Sequence, residues 1–258
     1  GPASAADLSP PPPPPEMVPE PVGSGWYLRG DFTESSYHRP ADATRPDVKD
    51  PGMPQLVGLR LSDAEGYGGG VGYRVTPWLR VDATIDQRGS SRLRGFSSRS
   101  NFATGGNVET GRVNVLTGLV NVYADLGTWW GLTPYVGGGI GFSETGMTHA
   151  VTQTACYVDA CDGVAGTGPR DAVKRPNRTL ASFAYALTAG ASYALGHGLS
   201  LDAAYRYVDL GGIKSGADSF GAATRLKELA ASEFRLGLRY DLSALSGFAG
   251  AASNPYGN

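Results

Sequence analysis

The sequence has few cysteines, few charged residues and no long apolar run. Its two cysteines, Cys156 and Cys161, lack histidine partners at the spacing of a zinc site, which argues against a structural metal. No segment reaches the roughly 18 consecutive apolar residues of a transmembrane helix, so a membrane role would require a β-barrel. Charged residues make up 18% of the chain, below the roughly 25–35% recommended for a soluble surface, so water is not expected to be the only solvent. The formal net charge of −2 lacks the basic excess of nucleic-acid-binding proteins.

Glycine, in contrast, is abundant, and it lies within segments that alternate between apolar and polar residues. The chain has 38 glycines, and each would cost a helix about 1 kcal/mol relative to alanine, which favours strands. Trp26, Leu28 and Phe32 alternate with Arg29 and Asp31, the period of two that is typical of a strand with one apolar face. Eight segments share this pattern, so the sequence predicts an all-β fold.

The links between these segments alternate in length. Long links are expected at about 38–62, 88–110, 146–178 and 211–228, and short ones at 76–77, 127–132 and 196–198. Bacterial outer-membrane barrels have short periplasmic turns and longer extracellular loops. The sequence therefore predicts an eight-stranded antiparallel transmembrane up-and-down β-barrel with a Pro-rich N-terminal tail.

Three regions are expected along the chain. Residues 1–24, with six consecutive prolines from Pro10 to Pro15, form a tail, residues 25–242 form the barrel, and residues 243–258 form a second tail. Ala3-Ser4-Ala5 resembles a signal-peptidase site, which favours export. Because an even number of strands returns the chain to its starting side, both tails are expected in the periplasm. There they could meet peptidoglycan or another envelope protein.

The polar face of the strands carries charges of both signs, and the interior of an eight-stranded barrel is just wide enough for its own side chains. The sequence therefore predicts a network of neutralising charges that fills the barrel, with a narrow channel as the alternative. The predicted interior charges are Arg29, Asp31, Arg74, Arg80, Asp82, Asp86, Asp125, Asp202, Arg206, Arg235, Arg239 and Asp241.

Aromatic residues on the apolar face resemble the girdles of membrane barrels, which favours the membrane over a soluble calycin-like barrel with a ligand cavity. The aromatic positions are Trp26, Tyr73, Trp78, Tyr135, Tyr193 and Tyr207.

Two features are predicted in the outer loops. Arg88, Arg92, Arg94 and Arg99 lie in the second long link, where guanidinium groups could contact the phosphates of lipopolysaccharide in the outer leaflet. Cys156 and Cys161 lie close together in the third, and a disulfide is expected because the periplasm and cell surface are oxidising.

Three segments, 25–31, 121–125 and 234–240, resemble the small outer-membrane β-barrel proteins of α-proteobacteria, the porin-family barrels related in shape to the OmpA membrane domain. The resemblance spans about residues 25–242. It implies a location in the outer membrane and roles in envelope integrity and surface exposure. In some members it also implies adhesion or haem binding.

We therefore expect a structural barrel that is not an enzyme and has neither cofactor nor metal. The alternatives are a narrow channel or porin and a surface ligand-binding or adhesin barrel; the oligomeric state is left open. The three histidines, His38, His149 and His197, do not suggest a catalytic arrangement, and haem ligation by the first two is a minor alternative. Arg29-Gly30-Asp31 lies within a strand, so it is not expected to act as an exposed adhesion tripeptide.

Overall fold

The computed structural model describes residues 25–38, 43–44, 56–97, 105–217, 223–226 and 228–244. Within this part of the chain, no helix is long and apolar enough to cross a membrane. The described residues form thirteen strands, and eight of these form the barrel. The barrel strands are β1 (Trp26–Tyr37), β4 (Ala64–Thr76), β5 (Leu79–Ser97), β6 (Gly105–Asp125), β7 (Leu132–Cys156), β9 (Arg178–Gly196), β10 (Leu199–Asp209) and β13 (Ala230–Asp241).

These eight strands form a closed antiparallel ring. Each barrel strand pairs with the barrel strands before and after it along the chain, and β13 returns to pair with β1. In the first and last strands, Leu28 lies opposite Tyr240 and Phe32 lies opposite Leu236. The prediction of an eight-stranded up-and-down barrel is therefore confirmed.

Five short strands lie in the outer links, at the end of the barrel opposite the short turns. They are β2 (Ala43–Thr44), β3 (Leu56–Leu61), β8 (Gly168–Arg175), β11 (Ile213–Lys214) and β12 (Arg225–Leu226). Strand β3 pairs with the end of β5 and β8 with the end of β7, so the wall of the barrel continues beyond the closed ring. Strands β2, β12 and β11 form a separate small sheet.

The second outer link is much shorter than the sequence pattern predicts. Strands β5 and β6 run to Ser97 and from Gly105, so the link covers 98–104 instead of 88–110. A bulge between Arg88 and Ser91 shifts the register of β5 against β6. The inserted residue switches the inward-facing side chains of β5 from even-numbered to odd-numbered positions. The alternation of the sequence therefore breaks although the strand continues.

The two faces of the wall differ sharply. Along β1, Leu28 and Phe32 are exposed on the outside while Asp31 and Thr33 are buried inside. Of the predicted girdle aromatics, Trp26, Tyr73, Trp78 and Tyr193 are exposed. Tyr207 is half-buried on the outward face of β10. The assignment of Tyr135 is wrong because its ring faces inward and packs edge-on against Tyr123.

The interior changes character along the barrel axis. Towards the short turns it is filled mainly by charged and polar side chains. Towards the outer links an apolar cluster fills it, which includes residues of β6, β7, β10 and the last outer link. Leu210, Ile213, Leu226 and Leu229 belong to this cluster, so the last link packs over the outer end of the interior.

Candidate functional site: the barrel interior and the outer rim

Glycines line the inner face of β4 and make room for charged side chains. Gly66, Gly68, Gly70 and Gly72 lie opposite inward-facing residues of β5. A Cβ atom on Gly68 would overlap the carboxylate of Asp86, and one on Gly72 would overlap the ring of Tyr27. The glycine-rich segment therefore leaves interior volume that the side chains of the neighbouring strands occupy.

Glu233 on β13 is the centre of the interior network. Its carboxylate accepts hydrogen bonds from Arg88 Nε at 2.6 Å, from Arg206 Nε at 2.6 Å and from the hydroxyl of Ser35 at 3.0 Å. All four side chains are buried. A buried carboxylate with two guanidinium partners has its charge compensated by direct contact, without bulk water.

A second carboxylate, that of Asp86 on β5, continues the network. Arg206 donates to it at 2.9 Å and Arg235 at 2.8 Å. Arg235 also lies 3.0 Å from Asp31 on β1, which pairs in turn with Arg29 at 2.7 Å. The charges of four strands are thereby joined in one chain of ion pairs.

The contact between Arg206 and Asp86 crosses the full width of the barrel. In the ring of eight, β5 and β10 are separated by three strands on either side, so they stand on opposite walls. The distance of 2.9 Å between Arg206 Nη1 and Asp86 Oδ2 shows that the side chains meet in the lumen. Arg88 reaches similarly from β5 to Glu233 on β13.

A further layer lies nearer the short turns. Arg80 forms a bidentate contact with Asp125, at 2.7 Å for the shortest pair, and its guanidinium lies 4.9 Å from the ring centre of Tyr135. Arg29 reaches Asp82 at 2.9 Å. A longer contact of 3.7 Å joins Arg239 to Asp202.

The structure places all twelve predicted interior charges on the inner face, where ion pairs join most of them. Arg74 and Asp241 are half-buried there. Two members of the network are absent from the predicted set: Arg88 and Glu233. Glu233 lies two positions before Arg235 in β13 and so shares its inward parity.

The prediction that Arg88 contacts lipopolysaccharide from an outer loop is wrong. Arg88 lies in β5, only 1% exposed, and binds Glu233 and the hydroxyl of Thr117 inside the barrel. It precedes the bulge, so it keeps the inward parity of Asp86. Arg92 and Arg94 follow the bulge and are exposed on the outer face. Arg99 lies outside the described residues.

Another buried ion pair, which the sequence pattern does not predict, holds the outer extension together. Arg175 at the end of β8 donates to Glu109 on β6 at 2.8 Å. The hydroxyl of Thr224, in the last outer link, also donates to Glu109. Three segments that are distant in the sequence are thus joined above the closed ring.

The predicted disulfide between Cys156 and Cys161 is present. It closes the tip of the β7–β8 hairpin, where Arg170 donates to Asp162 at 2.6 Å. This hydrogen bond lowers the pKa of the Asp162 carboxyl below its ordinary value. A disulfide and an ion pair therefore both fix the shape of this tip.

The histidines lie far apart along the chain and do not form a cluster. His38 follows β1 at its outer end, where its ring bonds the hydroxyl of Ser232 at 2.9 Å. His149 is exposed in the outer part of β7. His197 lies in the tight turn between β9 and β10, at a positive φ of 53°.

Comparison with known proteins identifies relatives over most of the chain. An uncharacterized protein of Brucella abortus strain 2308 is 31% identical over 241 residues, covering 81% of this chain and 76% of the relative. A Rickettsia bellii protein named as a candidate adhesin is 24% identical over 233 residues, covering 84% of this chain and 88% of the relative. The solved structure of OprG from Pseudomonas aeruginosa is 14% identical with a TM-score of 0.46, covering 84% of this chain and 97% of that one.

The sequence resemblance to small barrels of α-proteobacteria is confirmed by the Brucella and Rickettsia relatives and by a family model. The model of the outer membrane protein beta-barrel domain matches residues 20–241. The observed closed barrel, with its apolar exterior, is the architecture that this family description names. The chain therefore belongs to the outer membrane protein β-barrel domain family and is a protein of the bacterial outer membrane.

Proposed function

We propose that this protein is a structural barrel of the outer membrane whose lumen is closed to ions and small solutes, and that it contributes to envelope integrity and presents its outer loops at the surface. The observation that carries the proposal is the contact between Arg206 and Asp86, which joins opposite walls at 2.9 Å. The side chains around this contact, Arg88, Glu233 and Arg235, are also buried, which supports a lumen filled at that level. The apolar cluster above it supplies a second closure.

We further propose that the barrel is not an enzyme. Catalysis by acid–base or nucleophilic groups requires a nucleophile and a base within hydrogen-bond reach of each other. Its three histidines have separate surroundings, and the buried carboxylates of Glu233 and Asp86 are held by arginines. Because these carboxylates are bound in ion pairs, neither is available as a catalytic base.

Conductance across a planar bilayer tests the closed lumen. We expect the full chain, refolded and inserted, to show no single-channel steps at 100 mV in about 1 M KCl. A general porin inserted in the same bilayer is the positive control, for which steps are expected. The double variant Asp86→Ala/Arg206→Ala removes only the contact between the two walls and should also show no steps, because the apolar cluster still closes the lumen. Regular steps from the parent protein would overturn the proposal.

A second candidate function, adhesion, is supported by the tip of the β7–β8 hairpin. Tyr157 and Val164 are 63% and 61% exposed beside the disulfide. Apolar side chains on a rigid projecting tip are suited to contact with another surface. Adhesion of intact expressing cells to hexadecane droplets should fall for Tyr157→Ser/Val164→Ser and not for the control Thr167→Ser. Equal adhesion of all three strains would remove this candidate.

We also propose that residues 1–24 and 243–258 lie in the periplasm, where they could meet peptidoglycan or an envelope protein. The support is the position of the first and last strands, because the amide of Leu242 donates to the carbonyl of Trp26 at the short-turn end. Tags at either terminus should resist surface labelling on intact cells, and a tag inserted at Gly163 should be labelled. Surface labelling of a terminal tag would contradict the proposal.

A further inference from the structure

We infer that four outward-facing arginines form a binding site for the phosphate groups of lipopolysaccharide in the outer leaflet. We call this set the outer arginine face; it consists of Arg60, Arg92, Arg94 and Arg112. The inference rests on the placement of the barrel in the outer membrane and does not depend on whether the lumen is closed.

Strand pairing places these arginines directly opposite one another. Arg60 on β3 lies opposite Arg94 on β5, and Arg92 on β5 lies opposite Arg112 on β6. All four are exposed, whereas Leu93 and Val113 between them are buried on the inner side. The four guanidinium groups therefore share one outward face of the sheet that β3, the end of β5 and the start of β6 form beyond the closed ring.

Like charges at directly opposed positions of a sheet are unfavourable unless an opposite charge lies between them. In the part of the chain that the structure describes, none of the four guanidinium groups forms an ion pair with a carboxylate. The guanidinium of Arg94 instead lies 5.2 Å from the ring centre of Phe96. Glu109 on the neighbouring strand faces inward and is held by Arg175. Among the described residues, these four positive charges therefore have no carboxylate partner in an ion pair.

The height of this face above the lipid-facing band matches the inner sugars and phosphates of lipopolysaccharide. On β6, Val122, Val120 and Leu116 face outward, and Arg112 lies four residues before Leu116, towards the outer end of the strand. At about 3.3 Å per residue, Arg112 lies roughly 13 Å along the strand from the end of that band. The arginines therefore stand just outside the hydrocarbon region.

The outer arginine face points to the lipid-facing side of the wall, which favours a lipid ligand over a soluble polyanion. The arginines project from the same side of the wall as Ile85 and Val120, which are exposed on the lipid-facing side. A lipopolysaccharide molecule whose acyl chains pack on this wall can place its phosphates against the arginines above. A guanidinium group accepts such an anion with two parallel hydrogen bonds. The position of the arginines on the lipid-facing side and their positive charge therefore both favour lipopolysaccharide as the ligand.

The test uses the full chain refolded in detergent micelles and titrated with bisphosphorylated rough lipopolysaccharide. We expect the melting temperature of the parent to rise with added lipopolysaccharide and the rise to weaken in high salt, as for exposed charges. Arg92→Gln/Arg94→Gln and Arg60→Gln/Arg112→Gln should each weaken binding at least tenfold. The matched control is Arg178→Gln, an exposed arginine on β9, which should bind as the parent does.

If the arginines had a purely structural role, their replacement would lower the melting temperature even without lipopolysaccharide. Our inference predicts the opposite: because the paired charges repel, the glutamine variants should melt in lipopolysaccharide-free detergent at the same temperature as the parent or higher. Arg92→Lys/Arg94→Lys should retain part of the affinity. The inference is overturned if the glutamine variants bind like the parent, if enzymatically dephosphorylated lipopolysaccharide binds equally well, or if a soluble heparin oligosaccharide binds and lipopolysaccharide does not.

Discussion

The substitution Glu233→Gln probes the interior network at its centre. It keeps the shape of the side chain and removes the charge that Arg88 and Arg206 share at 2.6 Å and 2.5 Å. Arg206 retains Asp86 at 2.9 Å, but Arg88 retains only the hydroxyl of Thr117 at 3.0 Å. The variant therefore leaves one buried arginine without a carboxylate. Removing one partner of a buried ion pair costs about 3–5 kcal/mol, and we expect a loss of that size in the free energy of unfolding.

Urea unfolding in lipid vesicles, followed by tryptophan fluorescence, measures this loss. The matched control is Glu34→Gln, which changes the same residue type on the exposed side of β1 and should stay within about 0.5 kcal/mol of the parent. In the double variant Arg88→Met/Glu233→Gln neither group is left as an unpaired charge. Its cost should therefore fall below the sum of the single costs by about 0.5–3 kcal/mol. A loss below about 1 kcal/mol for Glu233→Gln, or strict additivity, would refute the reasoning about this ion pair.

Four further predictions concern the wall and the outer hairpin. Gly68→Val should cost about 1–3 kcal/mol because its side chain enters the occupied interior, whereas Gly69→Val on the outward face should be tolerated; the same urea assay compares them. Leu236→Arg should cost roughly 2–4 kcal/mol if the position lies near the bilayer midplane, and an unchanged stability would reverse the assigned faces. Cys161→Ser should leave the barrel's unfolding midpoint unchanged but speed proteolysis at the hairpin tip; equal cleavage rates would show that the disulfide does not order the tip. Because the pKa of Asp162 is lowered, its contribution to the tip should be complete above the ordinary carboxyl pKa and be lost as the pH falls below about 4. The protection of the tip amides, measured as hydrogen exchange relative to the intrinsic rate at each pH, should fall there, and an unchanged protection would contradict the ion pair's role.

The sequence allows the barrel to be predicted because the alternation survives wherever the wall has an apolar outside and a charged inside. Leu28 and Phe32 face outward, and Asp31 faces inward, as the period of two requires. A one-residue error in parity would bury apolar side chains in the charged lumen and expose charges to lipid. The pattern is therefore strongly constrained in the membrane-spanning part.

The pattern fails where the backbone departs from regular pleating or where both faces contain small residues. The bulge after Arg88 reverses the parity of β5, so that arginine resembles a loop residue although it belongs to the lumen. On β7, Gly137, Gly138 and Gly139 give no contrast between the two faces, so the sequence pattern predicts the wrong side for Tyr135 beside them.

The outer arginine face could not be predicted in full from the sequence because it depends on register. Arg60 and Arg94 are 34 positions apart, and only the pairing of β3 with the end of β5 places them opposite each other. The pairing of Glu109 with Arg175 likewise depends on the path of an outer link. Single-strand periodicity contains no information about such contacts.

Site-directed spin labelling tests the central claim, a barrel with a lipid-facing exterior and a filled lumen. The chain's two cysteines are joined in a disulfide, so an introduced cysteine provides the free thiol for the label. A label at Ala83→Cys, on the outward face of β5, should collide frequently with oxygen dissolved in the bilayer. A label at Ala204→Cys, on the inward face of β10, should show low collision rates with both oxygen and a water-soluble nickel complex. High nickel accessibility at position 204 would show an open aqueous lumen, and high oxygen accessibility there with low oxygen accessibility at position 83 would show that the two faces are reversed.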